Sequence, residues 1–226
     1  MLLTVLSKAP DTARVKQARV EMSSLVTAIE SYDQDYSRYP VTHAEQTAAG
    51  TNDFTTGLFL AGGPQSFDSN SNVVAILMDL PTFPNGSQTA EFGHVYNSKQ
   101  VKYLQAKMSG YDPATNDPHP PDGVDNSGTY RDPWGHPYII TMDLSYDDQC
   151  RDLVYSLTSV SQNPPSGTSQ TGFNGLSSPI PNGAGDNFLY HGKVMVWPAG
   201  PDGKYDTLPA SGPTAVANKD NVLSWQ

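Results

Sequence analysis

Residues 11–40 read DTARVKQARVEMSSLVTAIESYDQDYSRYP, and this stretch decides the fold class. Val15, Ala18, Met22, Leu25, Val26, Ile29, Tyr32 and Tyr36 recur at steps of three or four, one apolar stripe along a helix. Between Asp11 and Tyr39 there is neither Gly nor Pro, and Ala, Glu, Gln and Met favour helix. The spacing therefore predicts one helix over 8–36, with Pro10-Asp11 as a place where it kinks or restarts. Arg38-Tyr39-Pro40 ends it, because a residue before proline avoids the α region. The stripe starts only at Val15, so the first turns are expected to protrude.

Beyond Pro40 the periodicity changes. Residues 42–71, rich in Thr, Gly, Asn and Ser, read as irregular. The run 73–80, VVAILMDL, reads as a core-facing helix ended by Pro81, and 99–107 as a strand or a short helix. Residues 113–128 are an acidic loop punctuated by Pro and Gly. Asp132-Pro133-Trp134-Gly135 is a turn, with Pro fixing φ at one central position and Gly relieving its neighbour. Strands are expected at 138–144, 152–158 and 193–197, and a long surface loop at 162–187. The order is helix first, then a small antiparallel sheet with long loops, an α+β class with no βαβ alternation.

Composition narrows the function classes. The 226 residues carry 13 Lys+Arg and 23 Asp+Glu, a net charge of −10. The first 40 residues balance, so the acidic excess lies in the remainder. That balance argues against nucleic-acid partners, whose phosphates are met by Lys and Arg. One cysteine, Cys150, excludes an internal disulfide framework and a Cys-rich zinc site. The histidines His43, His94, His119, His136 and His191 are scattered, with no H-E-x-x-H pattern, no G-x-S-x-G and no phosphate-cradling Gly loop. The chain is therefore expected not to be an enzyme. Trp134, Trp197 and Trp225 read as core or interface residues.

The most chemical segment follows the last strand: Ala199-Gly200-Pro201-Asp202-Gly203-Lys204-Tyr205-Asp206, then Asn218-Lys219-Asp220-Asn221. Calcium takes six to eight oxygens, carboxylate and carbonyl mixed. Asp202 and Asp206 from one arm, Asp220 or Asn221 from the other, and the carbonyls of Ala199 and Lys204 supply such a set; a plain Asp-Gly turn is the competing reading.

Taken in order, Tyr32-x-x-Asp35-Tyr36-x-x-Tyr39-Pro40, then Asp132-Pro133-Trp134-Gly135-His136-Pro137-Tyr138, then Gly200-Pro201-Asp202-Gly203 before Trp225, the chain resembles the major pseudopilins of type II secretion. The likeness covers about 8–40 and 130–225. Residues 41–129 and 162–187 stand as insertions, and Pro198-Ala199 replaces the family's usual aliphatic, Gly and polar residues before the calcium loop. It implies a pilin-like fold: an N-terminal helical spine, residues 1–40, packed on the sheet of a globular domain, residues 41–226. It implies Ca2+ ordering the C-terminal loop, self-assembly into a periplasmic pseudopilus, and contacts with other pseudopilins and inner-membrane secretion components. It also places a leader and an apolar membrane-anchoring helix start ahead of Met1, with Met1-Leu2-Leu3 a start inside that helix. The alternative is a minor pseudopilin or an adhesive pilin-like subunit presenting Tyr96, Tyr103, Tyr111 and Phe173 on its loops to a ligand.

Overall fold

The structure is a computed structural model that describes residues 3–58, 66–67, 69–115, 117–163, 170–180, 185–206, 218 and 220–226. In chain order its elements are helix α1 (Leu3–Tyr36), helix α2 (His43–Ala49), strands β1 (Phe54–Thr56) and β2 (Ser66–Phe67), helix α3 (Ser71–Met78), strands β3 (Gly123–Val124), β4 (Tyr130–Arg131) and β5 (Ile139–Met142), helix α4 (Thr158–Ser161), a 3-10 turn (Phe173–Gly175) and strand β6 (Val194–Trp197). Two compact units form, each from two stretches of chain: Met1–Thr42 with Ser69–Tyr138, and His43–Asp68 with Ile139–Gln226.

In the first unit α1 runs unbroken through Pro10 for 34 residues, about 51 Å at 1.5 Å per residue. The expected stripe is the buried one: Ala18, Met22, Leu25, Ile29 and Tyr32 lose all or nearly all their exposure, joined by Ala28. Residues 11–17 are exposed except for half-buried Val15, so these early turns present their side chains to solvent. The helix stops at Ser37, whose φ of +52° turns the chain out while its N–H still reaches the Asp33 carbonyl at 2.7 Å. Helix α3 buries every side chain from Val73 to Met78, which is why its sequence shows no polar face. Its end is the left-handed Asp79 (φ +54°), two residues before the expected stop at Pro81.

Two expectations in this unit change. Residues 99–107 form neither strand nor helix; side-chain bonds from Asn97 and the Leu104 N–H to the Leu77 carbonyl (3.0 Å) hold them. The acidic loop 113–128 contains β3, which pairs with β4 as a hairpin, Gly123 opposite Arg131 and Val124 opposite Tyr130. Asp125 closes that hairpin from inside: Oδ1 accepts from the Ser127 and Thr129 N–H groups, and Oδ2 pairs with Arg131 Nε at 2.8 Å. The 132–135 turn forms as expected, with buried Asp132 Oδ1 accepting from the Trp134 and His136 N–H groups. Gly135 sits at φ +98°, and a Cβ there would meet Pro121 Cγ at 2.6 Å.

The second unit holds a four-stranded sheet in the order β2-β1-β5-β6. Strands β1, β5 and β6 are antiparallel neighbours, Ile139 opposite Trp197 and Thr56 opposite Ile140, while β2 adds a parallel edge. Strands β5 and β6 are where the sequence put them, and both are wholly buried, hence their unbroken apolar runs. The strand expected at 152–158 is a turn instead. Asp152 Oδ1 accepts from the Val154 and Tyr155 N–H groups at 2.8 and 2.9 Å, which curls the backbone. The stretch read as irregular supplies α2 and β1, and the long loop is stitched by bridges Gln162–Gly172, Thr171–Ser177 and Ser177–Leu189. The class is mixed helix and strand. Among the described residues no helix is long and apolar enough to cross a membrane.

Candidate functional site

The C-terminal loop grows out of β6. The Ser224 N–H reaches the Val196 carbonyl (3.0 Å) and Ser224 Oγ takes the Val196 N–H (2.9 Å), so the chain's last residues run alongside the strand that starts the loop. After Trp197 the backbone turns at Gly200 (φ +68°) and again at Gly203 (φ +65°). Gly200 lies against the returning arm so closely that a Cβ would sit 2.6 Å from the Asp220 carbonyl oxygen. Only glycine tolerates both that approach and that φ. Asn218 joins the arms a second time: its Oδ1 accepts the Asp206 N–H (2.9 Å) and its Nδ2 donates to the Asp206 carbonyl (3.1 Å).

Beneath lies an aromatic cluster. Tyr155 meets Trp197 and Trp225 edge-on at 5.0 and 5.3 Å, and Tyr205 meets Trp197 at 6.0 Å. Tyr155 Oη accepts from Asn221 Nδ2 at 3.0 Å, leaving Asn221 Oδ1 buried with no hydrogen-bond partner among the described residues. A buried carbonyl oxygen of this kind has a desolvation cost that a cation or a water relieves.

The expected ligands thus divide. Asp206 and Asp220 are brought to the junction of the two arms, and Asn221 offers an unsatisfied oxygen. Asp202 is exposed, and its Oδ1 is taken by the Lys204 N–H (2.9 Å) in a local Asx turn. Ala199 is buried and Lys204 exposed. Asp202, Asp206 and Asp220 do not converge on one point; the one group of three such side chains among the described residues is Asp79, Glu91 and His94, in the other unit. The donor chemistry, all oxygen, fits a hard cation. Sequence reasoning left Asn218 and Tyr155 out of the site. Asn218 stood in the quoted acid–amide segment, whereas nothing local marks Tyr155, which reaches the loop across 66 residues of chain.

The second motif-bearing feature is the tip of α1. Tyr32 Oη and Arg38 Nη2 both donate to the Tyr96 carbonyl (2.7 and 3.0 Å). Tyr36 Oη donates to Asn97 Oδ1 (3.1 Å) and accepts the Lys99 N–H (2.8 Å). Asp35 pairs with Lys99 Nζ at 3.2 Å and accepts from Tyr103 Oη. Tyr32 and Tyr36 stack at 4.5 Å, with Tyr103 edge-on to both. Burial pushes the Tyr32 phenol up to about 12, so the hydroxyl stays a donor at any physiological pH. The Tyr-x-x-Asp-Tyr spacing, one helix face at i, i+3, i+4, thus fastens the end of the helix to segment 96–103. Two of the tyrosines considered for ligand binding, Tyr96 and Tyr103, belong to this clamp, and Tyr111 lies under the Arg131 guanidinium at 5.6 Å. Cys150 is fully buried, which pushes its thiol well above the ordinary range and makes it a poor nucleophile.

Comparison with protein-family models, curated proteins and solved structures finds no match for this chain.

Proposed function

We propose that the chain is a structural filament subunit of the major pseudopilin kind. In this reading an apolar helix ahead of α1 anchors it in the inner membrane, with its globular part facing the periplasm, and copies assemble into a pseudopilus for protein export. The observation that carries it is α1 itself. It runs 34 residues without a break, is clamped at its C-terminal tip, and is exposed along its earlier turns, including Val20 at 67%. A long helix with one face buried on its own unit and its other face exposed is what a filament spine would pack against other copies.

The C-terminal loop is proposed to be tied by calcium, which would draw Asp202, Asp206 and Asp220, whose side chains do not converge on one point in the structure, together with Asn221 and the carbonyls of Ala199 and Lys204 into one oxygen shell. The close Gly200–Asp220 approach and the unsatisfied Asn221 Oδ1 support it. Bound there, the ion would offset the like charge of the two arms.

The test has two arms. Thermal unfolding of wild type and Asp202→Ala in calcium and in EGTA should show a calcium-dependent rise in Tm that the variant loses, with hydrogen exchange slowing at the C-terminal end rather than along α1. Four coincident curves would remove the calcium. A chain fused to an apolar pilin-type helix start and expressed with a type II secretion inner-membrane assembly should yield filaments visible by electron microscopy; membrane-bound monomers alone would overturn the filament reading.

A further inference from the structure

We propose that Asp79, Glu91 and His94 form a structural site for a divalent transition metal ion of the zinc type. One ligand atom from each lies within 4.8 Å of the other two. One imidazole nitrogen with two carboxylates suits zinc and its neighbours, in contrast to the all-oxygen donors of the C-terminal loop.

Backbone conformation delivers all three. Asp79 caps α3 in the left-handed region, and its Oδ1 lies 2.7 Å from His94 Nδ1. Glu91 and His94 stand three apart in a tight turn closed by the His94 N–H on the Glu91 carbonyl (2.8 Å), and His94 is itself left-handed at φ +57°. Glu91 is fully buried, and its carboxylate is aimed by the Asn97 N–H on Oε1 (2.9 Å) and the Tyr96 N–H on Oε2 (3.2 Å). Such outer bonds orient ligands in metal sites. Asp79 Oδ1 and His94 Nδ1 thus stand at hydrogen-bonding distance. A metal ion in their midst would offset the charge of two neighbouring carboxylates, one of them denied water. His94, 32% exposed, leaves the ion a way in.

The site also has a mechanical consequence within its own unit. The segment it fixes carries the Tyr96 carbonyl and the Asn97 side chain, the two groups that Tyr32, Arg38 and Tyr36 hold at the tip of α1. An ion at Asp79, Glu91 and His94 stiffens the partner of that clamp.

The experiment is zinc titration calorimetry and melting of the untagged chain, for wild type, His94→Asn and Asp79→Asn. Asparagine tolerates the left-handed backbone at both positions, so the fold is expected to survive. Wild type should bind one zinc ion with a Kd on the order of micromolar or tighter and melt higher, unaffected by millimolar calcium. Each variant should bind about tenfold more weakly or worse. No zinc binding by wild type, or wild-type affinity in both variants, would overturn the assignment; the latter would move zinc to another histidine. Because Asp202→Ala leaves these ligands untouched, failure of the calcium reading and failure of this one are separate results.

Discussion

Replacing Asn97 by aspartate exchanges one NH2 group for an oxygen and leaves the shape of the side chain unchanged. Asn97 is fully buried. Its Nδ2 donates to the carbonyls of Ile76 (3.1 Å) and Val101 (2.7 Å), while Oδ1 accepts from Tyr36 Oη and the Val101 N–H. Aspartate loses both donated bonds, at a net ~0.5–1.5 kcal/mol each, and turns its new oxygen toward two carbonyls beside buried Glu91. The expected loss is about 3 kcal/mol at pH 7.5, which for a chain of this size lowers Tm by about 6–12 °C. The sign of the pH dependence follows from the same geometry. Burial and facing oxygens raise the folded-state pKa of the new carboxyl above its unfolded value of about 3.9. The folded variant therefore holds the proton more tightly, and its deficit shrinks as pH falls toward 4.5, where the acid O–H donates to one of the two carbonyls. Paired melts of wild type and variant at pH 7.5 and 4.5 measure it. A deficit below about 0.5 kcal/mol at pH 7.5, or one equal at both pH values, refutes the clamp as described.

Asp152→Asn tests the second unit's polar centre. Asp152 Oδ2 accepts from Thr141 Oγ1 (2.7 Å) and Trp197 Nε1 (3.0 Å), so an amide NH2 there leaves the indole N–H unpaired; urea unfolding followed by tryptophan fluorescence should show a loss of about 1–3 kcal/mol, and an unchanged midpoint would contradict the assignment. Asp53 tests a pH dependence. Burial, against the Arg151 N–H bond, pushes its carboxyl up to about 6, so its ionisation is disfavoured in the fold and its contribution is best below pH 4 and lost as pH rises through 6. Asp53→Asn should therefore gain on wild type between pH 4 and 7 and no further above, by about 1 kcal/mol after discounting for its partial exposure, as paired chemical denaturation at pH 4.5 and 7 would show.

What the sequence made legible is what depends on local periodicity. Helix α1, the buried helix α3 and strands β5 and β6 each declare themselves by burial pattern, and the 132–135 turn by Pro and Gly at fixed offsets. The misreadings have one physical origin. The alternation at 152–158 looks like a strand, but Asp152 spends a carboxylate oxygen on two N–H groups just ahead of it, an alternative that hydropathy does not register. Residues 99–107 look like a short element because they carry apolar residues, yet side chains rather than a ladder satisfy their backbone. At the C-terminal loop, composition pointed to the acids, while the observable junctions rest on the amides Asn218 and Asn221 and on Gly200. The cluster of Asp79, Glu91 and His94 was invisible because 79 and 94 meet only through two left-handed residues.

The same residues change what the net charge of −10 means. Among the described residues Glu45, Glu91, Asp125, Asp132, Asp143 and Asp152 are buried, and they are not spread over a cation-attracting surface. Asp143 accepts from Ser145 Oγ and the Asp147 and Asp148 N–H groups, Asp125 and Asp152 hold turns in the same manner, and buried Asn70 brackets the N–H and carbonyl of Tyr130 and the carbonyl of Tyr138. A chain with short strands and long connections leaves many backbone donors without a ladder partner, and a buried N–H without a partner is costly. Carboxylates and amides supply those partners from within. The acidity is therefore partly an internal bonding material, and the case for calcium rests on the close Gly200–Asp220 approach and the unpartnered Asn221 Oδ1 rather than on the charge of the whole.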